Sequence, residues 1–130
     1  MKKILIIEDN ELMAEILAQF IRRCITCEIL KVNTINYAQK SLISSSHLLD
    51  GIFLDLSIEK PLDGLDLLKY IKQNLPEMPV AIITSESQAE VVKQVLALSP
   101  RDYLIKPISV QKVQRSLSKF EMAKVSESKT

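Results

Sequence analysis

Four short runs dense in aliphatic and β-branched residues recur along the chain: Ile4 to Ile7, Ile52 to Leu54, Val80 to Ile83 and Tyr103 to Ile105. Each is shorter than a helix needs, and none alternates apolar with polar, so each reads as a strand covered on both faces. A more mixed stretch, Glu28 to Asn33, reads as an edge strand. The intervening segments keep helical spacing: Leu12, Met13, Ile16, Leu17, Phe20 and Ile21 form one apolar stripe, and Leu65, Leu68, Ile71 and Leu75 another. Val91, Val92 and Val95 continue the pattern, as do Val110, Val113, Leu117 and Phe120, while Asn36 to Ser44 supplies a weaker helix. Asn10 and Ser109 are expected to cap their helices, Ser87 to Glu90 reads as a capping box, and Ser44 to Ser46 reads as a loop. Strands and helices that alternate one for one must be joined by crossovers. The expectation is therefore an α/β domain with a parallel sheet, right-handed connections and helices on both faces.

The chain has 130 residues, one domain's worth, and we read it as a single domain over 1–123 followed by a polar tail or linker stub at 124–130. Lys and Arg number 17 against 16 Asp and Glu, a net charge of +1, which gives no field to hold nucleic acid or an anionic membrane. The single histidine, His47, rules out a multi-histidine metal site and receives no role. Two glycines, Gly51 and Gly64, cannot write a glycine-rich phosphate loop. Cys24 and Cys27 share the spacing of a redox pair, but they follow a helical pattern where a reactive pair would open a helix, so reduced, half-buried thiols are expected. The first residues, Met1 to Asp9, contain too short an apolar run for a signal peptide or membrane helix, which points to the cytoplasm.

In an open parallel sheet, ligands bind at the carboxyl ends of the strands. Here those ends carry Glu8 and Asp9, then Asp55, then Thr84, then Lys106 before Pro107. Three carboxylates gathered there repel by roughly 4 kcal/mol per pair at 4 Å in a medium of moderate polarity, so the cluster needs positive charge. Lys106 supplies one, and an oxygen-only set of Glu8, Asp9 and Asp55 suits a hard cation such as Mg²⁺. A metal, a carboxylate, a hydroxyl and an ammonium are what phosphoryl transfer to a carboxylate requires, with Asp55 as nucleophile and Thr84 and Lys106 binding the phosphoryl oxygens.

These residues, together with Asp63-Gly64 and the segment Asp102 to Pro107, make the chain closely similar to the receiver domains of two-component response regulators, over about Lys2 to Phe120. The resemblance implies a flavodoxin-like, doubly wound five-stranded parallel sheet of order 2-1-3-4-5 with five helices. It also implies Mg²⁺ held by Glu8, Asp9, Asp55 and the backbone carbonyl of Ser57. Phosphorylation of Asp55 would come from a histidine kinase or histidine phosphotransfer protein. The resemblance further implies self-phosphorylation and self-dephosphorylation in place of enzymatic turnover. Thr84 and Tyr103 would then relay the change to the face of helix four, strand five and helix five, altering a downstream effector contact or a phosphorylation-dependent homodimer. Lys93, Lys112, Arg115 and Lys119, beside Glu90 and Asp102, are expected to make that face a mixed-charge surface.

Three departures from the family pattern stand out. The segment from Asp55 to Gly64 is one residue longer than usual, Ser99-Pro100 replaces the common Gly-Ala before strand five, and Ser85 follows Thr84 where a smaller residue is frequent. Glu86 and Ser57 occupy the positions that tune acyl-phosphate lifetime in the family. Glu8-Asp9-Asn10 argues against a flavodoxin, whose phosphate loop sits there, and Ser57 against a dehalogenase-type phosphatase, which wants a second Asp. The remaining alternative is a receiver-like protein-interaction module that is not phosphorylated.

Overall fold

The computed structural model describes residues 1–122, so the tail read at 124–130 lies outside the described residues. Its elements are β1 (Lys2–Ile7), α1 (Glu11–Cys24), β2 (Cys27–Val32), α2 (Ile35–Ser45), a 3-10 turn (Ser46–Leu48), β3 (Gly51–Asp55), α3 (Asp63–Asn74), β4 (Val80–Thr84), α4 (Ala89–Leu96), β5 (Asp102–Ile105) and α5 (Val110–Lys119). All pairings are parallel and the strand order is 2-1-3-4-5, as expected.

Because successive side chains point to opposite faces, the apolar runs fill two cores at once. Leu5, Ile7, Ile52, Leu54, Val80 and Ile82 face α2, α3 and α4, meeting Leu42, Leu68, Ile71 and Val95. Ile4, Ile6, Phe53, Ala81, Ile83 and Leu104 face α1 and α5, meeting Leu17, Ile21, Val113 and Leu117. Every residue of β3 and β4 is buried, which is why neither shows alternation in sequence. Each buried Ile or Leu contributes about 1.5–3 kcal/mol relative to exposure. Phe53 packs on Phe120 with ring centroids 5.4 Å apart, and a side chain on Gly51 would strike that ring.

Several local expectations change. Leu12 belongs to the apolar stripe in sequence but is 69% exposed in the first turn of α1, whose buried residues are Ala14, Leu17, Ala18 and Ile21. Ser44 to Ser46 is helical: α2 runs through Ser45, and the Ser44 hydroxyl donates to the Lys40 carbonyl at 2.8 Å, so a local hydrogen bond takes the polar side chain without ending the helix. His47 sits in the 3-10 turn that follows. The capping box at Ser87 to Glu90 does not form. The cap is Gln88, one residue late for Ser87 to reach, and its N–H donates instead to the Glu86 carboxylate. Asn10 and Ser109 do cap α1 and α5, accepting from the N–H groups of Met13 and Lys112. Ser99 adopts a left-handed φ of 56°, the region a glycine would favour, and the Lys72 ammonium donates to its carbonyl. Cys24 closes α1 and Cys27 opens β2. Both are free thiols whose pKa is pushed up by burial, against a nucleophilic role.

Candidate functional site

The register sets the site. Ile7 lies opposite Leu54, so the residues that follow, Glu8 and Asp55, emerge level at the end of β1 and β3. Asp55 lies opposite Ile83, and Thr84 opposite Ile105, so Thr84 ends β4 one step beyond Asp55 and Lys106 leaves β5 two steps beyond. The ladder continues past the strands, since the Glu8 N–H donates to the Val32 carbonyl and the Lys106 N–H to the Thr84 carbonyl. Backbone hydrogen bonding therefore fixes where these side chains start.

The chemistry gathers in an open cleft of about 290 Å³ whose lining includes Glu8, Asp9, Asp55, Ser57, Thr84 and Lys106. Those six are the residues singled out in sequence, and all six reach it. A larger groove, about 780 Å³, runs between α1 and α2 and shares Glu8 with the cleft, but it contains none of the other five. Glu8, Asp55 and Thr84 are buried, Asp9 is exposed, and Lys106 is intermediate.

Asp55 divides its oxygens between unlike partners. Oδ1 accepts the Ser57 N–H at 3.0 Å and Oδ2 accepts the Lys106 ammonium at 2.9 Å. The same ammonium lies 3.2 Å from Oε1 of Glu8. Carboxylate oxygens of Glu8, Asp9 and Asp55 lie within 4.8 Å of one another. Burial, and then the Asp55 charge, raise the Glu8 pKa to about 7 against the opposing pull of the Asn10 N–H and Lys106. Burial pulls Lys106 down, but its hydrogen bond to Asp55 and the charges of Asp55 and Glu8 outweigh that and hold it above the usual lysine value. Three carboxylates against one ammonium leave the cleft short of positive charge, and the protonation tendency of Glu8 is the symptom. The donor set fits a hard divalent cation: oxygen ligands only, two of them buried, open on one side to water.

Thr84 and Tyr103 meet on one residue. The Thr84 hydroxyl oxygen accepts the Glu86 N–H at 3.0 Å, and the Tyr103 hydroxyl donates to the Glu86 carbonyl at 2.9 Å. The β4–α4 segment thus touches both the cleft and β5.

Two parts of the site were not assigned such roles from sequence. The Asp63 carboxylate accepts the N–H groups of Ile58, Glu59 and Lys60. The Lys112 ammonium donates to the carbonyls of Ile105 and Pro107, on either side of Lys106. The sequence signal for the first was its place in the Asp63-Gly64 motif, to which no such role was attached, and none pointed to the second. The expected mixed-charge surface also needs correction. Asp102 is buried and accepts from Arg115, Ser116, Lys119 and its neighbour Tyr103, so those charges tie α5 to β5. Among the described residues Lys93 and Glu90 form no ion pair, and Leu96 and Ile105 expose apolar surface on the same elements.

Comparison with known proteins agrees with this geometry. The chain is 25% identical over 120 residues to the probable C4-dicarboxylate response regulator DctR of Halalkalibacterium halodurans, covering 92% of this chain and 51% of that protein. It is 27% identical over 126 residues to the transcriptional regulatory protein DcuR of Escherichia coli, covering 96% and 52%. The transcriptional regulatory protein MalR of Bacillus subtilis is 28% identical over 120 residues, covering 92% and 50%. The chain thus spans about half the length of these curated relatives. Among solved structures, the Mn(2+)-bound form of response regulator Rcp1 superposes with a TM-score of 0.78 at 25% identity, covering 91% of this chain and 93% of that one. A receiver domain protein from Clostridium thermocellum shares the fold with a TM-score of 0.78 at 21% identity, covering 92% and 94%. The family model for the response regulator receiver domain matches residues 4–118, and the chain belongs to that family.

Proposed function

We propose that the domain, residues 1–123, is a phosphoacceptor: it takes a phosphoryl group onto Asp55 from a histidine kinase or histidine phosphotransfer protein and passes the change to an effector. The observation that carries this reading is the Asp55 carboxylate itself, buried, level with Glu8, within reach of two other carboxylates and bonded to Lys106. Glu8, Asp9, Asp55 and the Ser57 carbonyl would hold Mg²⁺, and the Mn²⁺ in the similar regulator supports a divalent cation here. Bound Mg²⁺ supplies positive charge to the phosphoryl oxygens.

An Asp55 carboxylate oxygen attacks phosphorus as the P–N bond to the donor histidine breaks. The leaving imidazole keeps the electron pair and departs neutral because its other nitrogen retains a proton or takes one from water. Lys106 is the ammonium already on Oδ2, so it can follow the charge onto the transferred group. The Thr84 hydroxyl hydrogen is free to turn to a phosphoryl oxygen, since its oxygen is the acceptor for Glu86. Such a turn acts on the residue that also holds Tyr103, which gives the route to α4, β5 and α5. Leu96 and Ile105 would be the apolar contacts of that face for an effector or a second copy, with Lys93 and Glu90 setting orientation.

Amide chemical shifts test this reading. With Mg²⁺ and beryllofluoride, shifts are expected around Asp55 and through Thr84, Glu86 and Tyr103 into α4, and a Tyr103→Ala variant should keep the first group and lose the distal ones. Shifts confined to the cleft in the unaltered protein would favour an acceptor uncoupled from that face. No shifts anywhere would favour an unphosphorylated interaction module.

A further inference from the structure

The segment between Asp55 and α3 is closed into a ring by hydrogen bonds. Asp63, the first residue of α3, turns its carboxylate back: Oδ1 accepts the Ile58 N–H at 2.7 Å, and Oδ2 accepts those of Glu59 at 2.9 Å and Lys60 at 3.0 Å. Its neighbour Gly64 donates its N–H to the Leu56 carbonyl at 2.7 Å. The approach is so close that a side chain there would meet the Asp55 carbonyl oxygen at 2.2 Å. On the other side, the Ser57 N–H donates to Oδ1 of Asp55, and the Ser57 hydroxyl oxygen accepts the Leu62 N–H, with Leu62 in a left-handed conformation at φ 62°. Asp55, Leu56, Gly64, Asp63, Ile58 and Ser57 thus form one circuit that starts and ends on the acceptor.

We propose that Asp63 is a positioning residue for the cation cleft: by gathering the three N–H groups it fixes Ser57, whose N–H in turn fixes the Oδ1 oxygen of Asp55. Three N–H groups converging on one point form an anion-binding concavity, and a single carboxylate fills it. Without that carboxylate the Ile58 N–H loses its acceptor beside a buried side chain, and the segment must move to reach water. One peptide bond separates Ile58 from Ser57, so the movement reaches the cleft with little loss. Lys106 constrains only Oδ2 of Asp55, which leaves Oδ1 dependent on the loop. The extra residue between Asp55 and Gly64 makes this brace the more necessary, because a longer segment has more conformations to exclude.

The inference rests on the reading of Asp55 as a cation-binding phosphoacceptor, and the test separates the two. Mg²⁺ alone is titrated into the unaltered protein, Asp63→Asn, Asp63→Ala and Asp50→Ala, following amide shifts. Asp50 is the control because its carboxylate accepts the Lys3 N–H at the opposite end of β3. The dissociation constant for Mg²⁺ should rise about tenfold in Asp63→Ala, the size of effect seen when a group supporting a metal ligand is lost. Asp63→Asn, which keeps one acceptor oxygen, should fall between, and Asp50→Ala should match the unaltered protein whatever its loss of thermal stability. The metal-free Ser57 amide should shift in both Asp63 variants. Asp63→Asn decides alone if the alanine variant does not fold. Affinities within twofold across the Asp63 variants would overturn the inference while leaving the phosphoacceptor reading intact, and absence of Mg²⁺ binding by the unaltered protein would overturn both.

Discussion

Glu8 shows what the cleft lacks. Its ionised form pays for burial and for the neighbouring Asp55 charge, so its pKa stands near 7 in the fold against 4.5 in the free chain. A raised value means that the folded state holds the proton more tightly. The stabilisation is therefore complete below 4.5 and is lost as pH rises through about 7. In the absence of divalent cation, the melting temperature should fall between those limits, and Mg²⁺ should raise it more at pH 8 than at pH 5. Scanning calorimetry with and without chelator checks this, and a pH-independent effect of Mg²⁺ would contradict it. At this scale the sequence was highly informative for Glu8, Asp9, Asp55, Thr84 and Lys106, because each lies at or just after a strand end, where topology forces convergence, while Ser57 came from the family resemblance alone. It was poor for Asp63 and Lys112, whose work is to bind main-chain groups. Which N–H or carbonyl lies in reach depends on loop conformation, which apolar periodicity does not encode.

Among the elements, α3 begins close against the end of the acceptor strand. Gly64 is needed for the closeness of approach, since its conformation is ordinary and a Cβ would lie 2.2 Å from the Asp55 carbonyl oxygen and 2.8 Å from Leu56 Cα. Both are backbone atoms that cannot rotate away. Gly64→Ala should cost about 2–3 kcal/mol, at the upper end of overpacking effects, and should weaken Mg²⁺ binding as α3 backs off. Denaturant unfolding and cation titration of one variant measure both, and loss of stability with unaltered cation affinity would show that the strand end does not follow the helix. Element boundaries were legible where a strong apolar stripe coincided with a cap, as at Asn10 and Ser109. They were misread at Ser44 to Ser46 and Ser87 to Glu90. Serine serves equally in a cap, a turn or the last turn of a helix, and only the neighbouring acceptors decide.

Across the whole molecule, α5 is tied to the β5 edge by charge as well as by apolar packing. Asp102 is buried in that strand and receives Arg115, Ser116 and Lys119 from α5, which hold its pKa below the usual aspartate value despite burial. A lowered value gives stability that is present above the ordinary value of 3.8 and lost as pH falls below it. Asp102→Ala should cost about 2 kcal/mol, discounted because Arg115 and Lys119 are half exposed, and should loosen α5 from the sheet. Faster amide exchange in α5 than in β3 would register it, and an unchanged melting temperature would contradict it. Sequence placed these charges on an outward signalling surface, because a charge between apolar residues gives no sign of whether its partner is solvent or another element of the chain. The parallel α/β fold was legible in the alternation of buried runs with amphipathic stretches, whereas the strand order and the family came from the resemblance carried by the residues at the strand ends.

Intact mass spectrometry after incubation with acetyl phosphate and Mg²⁺ tests Asp55 as the phosphoryl acceptor. One added phosphate is expected, stable to acid and labile to base, lost when Mg²⁺ is chelated beforehand and absent from Asp55→Asn. Equal incorporation in Asp55→Asn, or none in the unaltered protein under conditions where Mg²⁺ is bound, would contradict it.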